Sequence, residues 1–270
     1  MLAGLLLLSV AASLHAMEPE GIEDSDAYFP DDVGNRWSYR GEVTEGPIQT
    51  IERKMFVNES KVTGADVRQN VQVKVLHDTN AGNHGPSTSF YRRDAAGVVY
   101  YGSEPGTTLE KQLVPYQIVQ FPLRPGSTFQ QFDRRDLDFG SDLDRDGVNE
   151  HADVVGTVTV VGRESVTVPA GSYPDAVRID ARMTLRITFS ADRRVAVGTD
   201  VMNAWFVKGI GLVKYVERQE LPAIRNDRGI TSEISEELLE FEHGAQARSL
   251  ERSESSPEGI LTHHAGDQKL

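Results

Sequence analysis

From Val177 to Phe189 the sequence alternates without a break. Val177, Ile179, Ala181, Met183, Leu185, Ile187 and Phe189 are apolar, and Arg178, Asp180, Arg182, Thr184, Arg186 and Thr188 stand between them. Successive side chains of a strand point to opposite faces, so this pattern describes one dry face and one charged, solvated face. At about 3.3 Å per residue the run would span roughly 43 Å, well beyond a usual strand. Such a strand needs long antiparallel neighbours and an apolar body lying across its inner face.

The remaining chain supplies those neighbours. Trp37, Tyr39 and Val43 alternate with polar residues, a second strand is expected over 50–57, and a third over 66–77 with Val67, Val71, Val73 and Val75 on one face. Residues 89–104 read as a hairpin about a turn at Asp94–Gly97. A turn at Pro125-Gly126 feeds another strand, and the segment 154–168 leads through Pro169-Ala170-Gly171 into the long strand. Trp205-Phe206-Val207, a break at Gly209 and Gly211, a strand over 212–220 and a final strand over 229–241 follow. In that last segment Ile230, Ile234 and Leu238 would also suit one stripe of a helix. Only 104–116 suggests a helical turn, and Pro105, Gly106 and Pro115 keep it short. Turn-bounded strands with almost no helical pattern predict a mainly β protein, one antiparallel domain over 28–241.

Charge and leader narrow the setting. A net charge of −13 over 270 residues argues against nucleic acid and anionic membrane as partners. Residues 2–16, LAGLLLLSVAASLHA, are too short for a bilayer span and match a signal-peptide core, so residues 1–16 are expected to be removed on export. The chain has no cysteine, so disulfides, thiolate metal sites and a lipid anchor behind the leader are not expected. A bacterial periplasmic or secreted protein fits best. The acidic stretch 17–27 is expected to be flexible, and the polar tail 242–270 to be disordered.

The sharpest chemical signal is the loop 142–153, DLDRDGVNEHAD. Asp142, Asp144, Asp146, Glu150 and Asp153 occupy positions 1, 3, 5, 9 and 12, with Gly147 at position 6 and the Val148 carbonyl at position 7. This is the spacing by which alternate side chains converge on a hard cation, and it predicts a structural Ca²⁺ site. Asn149 at position 8 and the strand-like flanks set it apart from an EF-hand. It resembles the isolated D-x-D-x-D-G loops that cap β-hairpins in exported proteins.

Three landmarks occur in order: Tyr28-Phe29-Pro30 with Gly34-Asn35 and Trp37; Val168-Pro169-Ala170-Gly171 with Tyr173 and Ala176; Trp205-Phe206 with Gly209, Gly211, Val213 and Lys214. Their order is similar to that in bacterial exported domains resembling the lipoprotein-carrier (LolA/LolB-like) half-barrel. The resemblance implies a single curved antiparallel sheet, a half-barrel wrapping a cavity that holds acyl chains; a closed β-barrel or a β-sandwich is the alternative. It also implies that Trp37, Tyr39, Val177, Ile179, Met183, Leu185, Ile187, Phe189 and Trp205 line a ligand cavity or fill a core. No catalytic constellation stands out, and there is no G-x-S-x-G elbow. The expected function is a non-catalytic exported half-barrel that binds lipid or another apolar ligand. A calcium-stiffened envelope or secreted module with a protein partner is the alternative, and a hydrolase the third. An open cavity behind Val177–Phe189 favours the first reading, and a core filled by Trp37, Trp205, Phe206 and Met183 the second.

Overall fold

The computed structural model describes residues 20–47, 52–81, 85–221 and 229–244. The expected signal peptide over 1–16, the start of the acidic stretch and the tail from 245 lie outside the described residues. Twelve strands form one antiparallel sheet: β1 (Arg36–Gly46), β2 (Glu52–Arg68), β3 (Val71–Asp78), β4 (Ser87–Asp94), β5 (Gly97–Glu104), β6 (Tyr116–Gln120), β7 (Thr128–Asp138), β8 (His151–Val168), β9 (Gly171–Thr188), β10 (Val195–Val207), β11 (Gly211–Leu221) and β12 (Ile230–Glu242). The spatial order is β6-β5-β4-β3-β2-β1-β12-β11-β10-β9-β8-β7. Two meanders thus run outward from a central pairing of the first strand with the last. The edges, β6 and β7, are neighbours in sequence.

The expected single curved sheet forms, and it curls past a half-barrel almost to closure. No ladder joins β6 to β7. Side chains bridge the seam instead: the Tyr116 and Phe132 rings meet edge-on with centroids 5.2 Å apart. The helix α1 (Thr108–Leu113) backs this seam, opened by a capping box between Thr107 and Glu110. Gln112 Nε2 donates to the Asp138 carbonyl at 2.8 Å, and its Oε1 accepts from Asp138 N at 3.1 Å. One side-chain amide therefore satisfies the end of β7 as a neighbouring strand would.

The alternation in β9 sorts as its sequence demands. Val177, Ile179, Leu185, Ile187 and the following Phe189 are buried, while Arg182 and Arg186 are exposed. Ala152, Val154, Val158 and Val160 of β8 share that inner face, each large side chain contributing about 1.5–3 kcal/mol by leaving water. Beyond Gly162 the β8–β9 hairpin folds across one end of the barrel. There Val166, Val168 and Ala176 pack with Trp37, Val213 and Leu238, and Ala170 N donates to the Leu238 carbonyl at 2.9 Å.

Two expectations need correction. The domain begins before Tyr28: Ile22 is buried, Ser25–Tyr28 forms a 3-10 turn, Ile22 N donates to Leu123 O at 2.7 Å and Leu123 N to Ser25 Oγ at 2.9 Å. The described part of the acidic stretch is thus docked, its one large apolar residue and its backbone both satisfied. The third strand expected over 66–77 is two strands joined by a tight turn, with Gln69 at φ 49° and Asn70 at φ 63°. Two successive left-handed residues make the mirror-type turn that suits a twisted hairpin. Lys74, Leu76 and Asp78 of β3 then line the inside of the barrel, so its valines are not the interior face.

Candidate functional site

The barrel encloses a cavity of about 760 Å³. Its size falls in the range of small-molecule sites, about 300–1,000 Å³. Of the residues expected in a cavity or core, Trp37, Tyr39, Ile179 and Met183 line it, together with Phe206. Leu185, Ile187 and Phe189 instead pack in the solid part of the core, toward the acidic loop. Val177 is buried beside Ile22, Tyr28 and Leu123. Trp205 does not line the cavity but packs, half-buried, against the core cluster of Val166, Val168, Ala176 and Val213. It lies on the opposite face of β10 from Phe206, donates its indole N–H to Glu164 at 2.5 Å and stacks with Arg178 and Lys214. Its odd position turns it away from the lumen, where cations cover its ring.

One wall of the cavity is aromatic. Tyr91, Tyr100, Tyr116 and Phe132 form a ladder across β4, β5, β6 and β7, with successive centroids 5.1, 5.3 and 5.2 Å apart. Burial pushes the Tyr91 hydroxyl up to about 12 and raises those of Tyr100 and Tyr116 as well, so all three phenols stay neutral donors. Tyr100 donates to Glu110 of α1, which ties the ladder to the seam helix.

The opposite wall carries acids that the sequence reading missed. Asp200, Glu217 and Glu236 point inward from β10, β11 and β12. Asp200 faces Gln219 across its ladder, and Glu236 faces Tyr215, so each acid lies one diagonal step from Glu217. Diagonal neighbours sit about 7–8 Å apart, close enough for charges to interact strongly in a desolvated site. Burial, reinforced by Glu217, pushes Asp200 up to about 8. Burial, reinforced by Asp78, pushes Glu236 up to about 7. The signal was present: Asp200 shares its parity with Ala196, Met202, Ala204 and Phe206, Glu217 with Val213, and Glu236 with Ile234 and Leu238. An acid on the apolar parity of three successive strands marks an interior polar site.

The acidic loop sits at the barrel end away from the β8–β9 hairpin tip, between β7 and β8. The Asp142 carboxylate accepts from Arg145 N at 2.6 Å, Asp146 N at 3.2 Å and Gly147 N at 2.9 Å. That winding requires the left-handed Arg145 and Gly147, φ 64° and 94°. It brings one oxygen each of Asp142, Asp144 and Asp146 within 4.8 Å of one another. The Ser190 hydroxyl, ahead of the Val148 amide, holds Asp146 below the usual carboxylate range. Glu150 and Asp153 do not join this cluster. Glu150 is fully buried, and its carboxylate accepts from Leu143 N at 3.1 Å, Asp144 N at 3.0 Å and Ser190 N at 2.8 Å. Asp153 lies on β8, accepting from Asp136 N and Arg135. The Val148 side chain is exposed. Three converging carboxylates that form no ion pair among the described residues suit a hard divalent cation completed by backbone and water oxygen.

The class defined by fold and site is an antiparallel barrel, nearly closed, with an internal cavity. No protein-family model and no curated protein matches the sequence. Among solved structures, a Bacteroides fragilis protein described as a candidate exported protein with a YmcC-like fold is 13% identical, over 80% of this chain and 98% of its own, with a TM-score of 0.41. A candidate lipoprotein of Parabacteroides distasonis is 14% identical over the same shares, with a TM-score of 0.35. Likenesses this distant carry no argument about the site. Among the described residues no helix is long and apolar enough to cross a membrane.

Proposed function

We propose that this chain is an exported, non-catalytic barrel that holds a small, mainly apolar ligand in its lumen, an alkyl or acyl body lying along the aromatic wall. The cavity of about 760 Å³ between that wall and β9–β10 carries the reading. The apolar leader at 2–16 supports export. Among the described residues no histidine lines the cavity, and the Ser60 hydroxyl donates to Asp78, an arrangement that favours binding over hydrolysis. Ca²⁺ at Asp142, Asp144 and Asp146 would have a structural role, joining the β7–β8 loop to the β9–β10 turn through Ser190 and Ala191, which already bond to Asp146 and Asp144.

Native mass spectrometry of protein purified from envelope or medium without detergent tests the reading. A co-purifying small molecule, or uptake of added 1-octanol by emptied protein, is the expected result. Filling the lumen with Ala204→Trp should abolish that uptake while the circular dichroism spectrum stays that of a β protein. Wild-type protein that carries no ligand and takes up none would overturn it.

A further inference from the structure

Asp200 is 6% exposed, and its Oδ1 has no hydrogen-bond partner. Its other oxygen accepts a 3.4 Å contact from Gln219 Nε2, and the carboxyl shares a side-chain hydrogen bond with Glu217. A buried carboxylate oxygen left open costs free energy unless something meets it. It faces the lumen beside Glu217 and across from Glu236 and Asp78, and six carboxylates line this cavity against three bases. Those bases do not neutralise the strip. Arg93 is held by Asp31 at 2.6 Å, Arg182 is solvent-exposed, and Lys74 stands on β3 opposite Tyr91, on the aromatic side of the lumen, while Asp200 and Glu236 are raised by burial and neighbouring acids against single hydrogen bonds from Gln219 and Asn58. The remaining neighbours are neutral: Tyr215 donates to Glu217 at 2.8 Å, and Tyr116 approaches Asp200 from β6.

We infer that the lumen recognises an amphipathic amine, whose ammonium group sits at Asp200, Glu217 and Glu236 while its apolar body lies along the Tyr91–Tyr100–Tyr116 ladder. This rests on the proposed lumenal binding and adds the class of ligand. An ammonium supplies what the strip lacks: hydrogen-bond donors for the open oxygen and a positive charge for crowded acids. Neutral tyrosine faces add cation–π attraction, which grows as the cation is desolvated. An acyl chain ending in a carboxylate would bring a further negative charge into this site. An amine borne by a zwitterionic headgroup would set its phosphate beside the acids, so a free amine fits better.

The test titrates emptied protein by calorimetry at pH 6.5 with octylamine, 1-octanol, octanoate and dihexanoyl phosphatidylethanolamine. Octylamine should bind at least tenfold more tightly than 1-octanol, and octanoate more weakly than either. Repeating the octylamine titration in buffers of different ionisation enthalpy should show proton release, because the incoming cation ionises a lumenal carboxyl. In Asp200→Asn, which keeps the side-chain shape, the amine-over-alcohol preference should fall to within threefold. Phosphatidylethanolamine matching octylamine would still support amine recognition and identify a lipid headgroup as its source. Octanol and octanoate binding as tightly as the amine, without proton release, would overturn the inference while leaving lumenal binding intact. Failure of all four probes to bind would overturn both.

Discussion

Parity along a strand decides the fate of single residues here. Leu185 and Arg186 are adjacent on β9, yet one is buried and the other exposed. Leu185→Asp places an unpaired charge among Leu113, Phe132 and Ile187 and should cost more than about 4 kcal/mol in urea unfolding, whereas Arg186→Ser should stay within about 0.5 kcal/mol. Equal effects would refute the assignment of faces. Asp200 yields a prediction of the opposite sense. Its folded value of about 8 lies well above the usual unfolded value near 3.9, so across that window the folded chain holds a proton that the unfolded chain has released. Stability therefore falls as pH rises from about 4 to 8, and Glu236, at about 7, adds to the fall. Asp200→Asn cannot ionise and should flatten the profile. Its melting temperature should exceed that of the wild type by several degrees at pH 9 and lie close to it at pH 4.5. An equal offset at both pH values would show that the carboxyl is not raised by the fold.

At the scale of elements, the acidic loop shows what spacing can and cannot specify. The alternation of Asp142, Asp144 and Asp146 with a left-handed Gly147 was legible, because local winding alone brings those carboxylates together. The roles of Glu150 and Asp153 were not legible. They depend on Ser190 in the β9–β10 turn and on Arg135 in β7, partners that only the folded sheet supplies. The lumenal acids were hidden for a related reason: each sits alone in its own strand, and the strip exists only once β10, β11 and β12 pair in register. Two predictions belong to the loop. An unpaired loop of this kind should bind calcium at around 10⁻⁴ M, so about 1 mM calcium would add roughly 1.4 kcal/mol, a rise of about 3–6 °C in melting temperature. Asp144→Ala should abolish that rise, and calorimetry showing no calcium binding up to several millimolar would refute the site. Glu150→Ala removes a buried acceptor of three amides and should cost about 3 kcal/mol or more with or without calcium. A loss seen only with calcium present would instead make Glu150 a ligand.

For the whole molecule the governing fact is that one sheet closes on itself with a single seam lacking a ladder. The central β1–β12 pairing is bonded from Arg36 to Gly46, and the β8–β9 pairing spans nearly the full length of both strands. Between β6 and β7, among the described residues, no ladder forms, and ring packing together with the Gln112 bridge from α1 to β7 resists opening. Local opening samples the least stabilised contacts first, so this seam is where the lumen should breathe and where a ligand should enter. Amides of β6 and α1 should exchange with deuterium well before those of β1, β12 and β9. Phe132 strengthens the contrast, because its ring bridges to Tyr116 and lies over Gly156, where an added Cβ would come within 2.6 Å of it. Phe132→Ala should cost about 3–5 kcal/mol overall. It should also accelerate exchange in β6 and α1 far more than in β1 and β12, and speed ligand uptake into the lumen. Uniform acceleration across the sheet would mean that the barrel opens as one unit and that the seam is no gate.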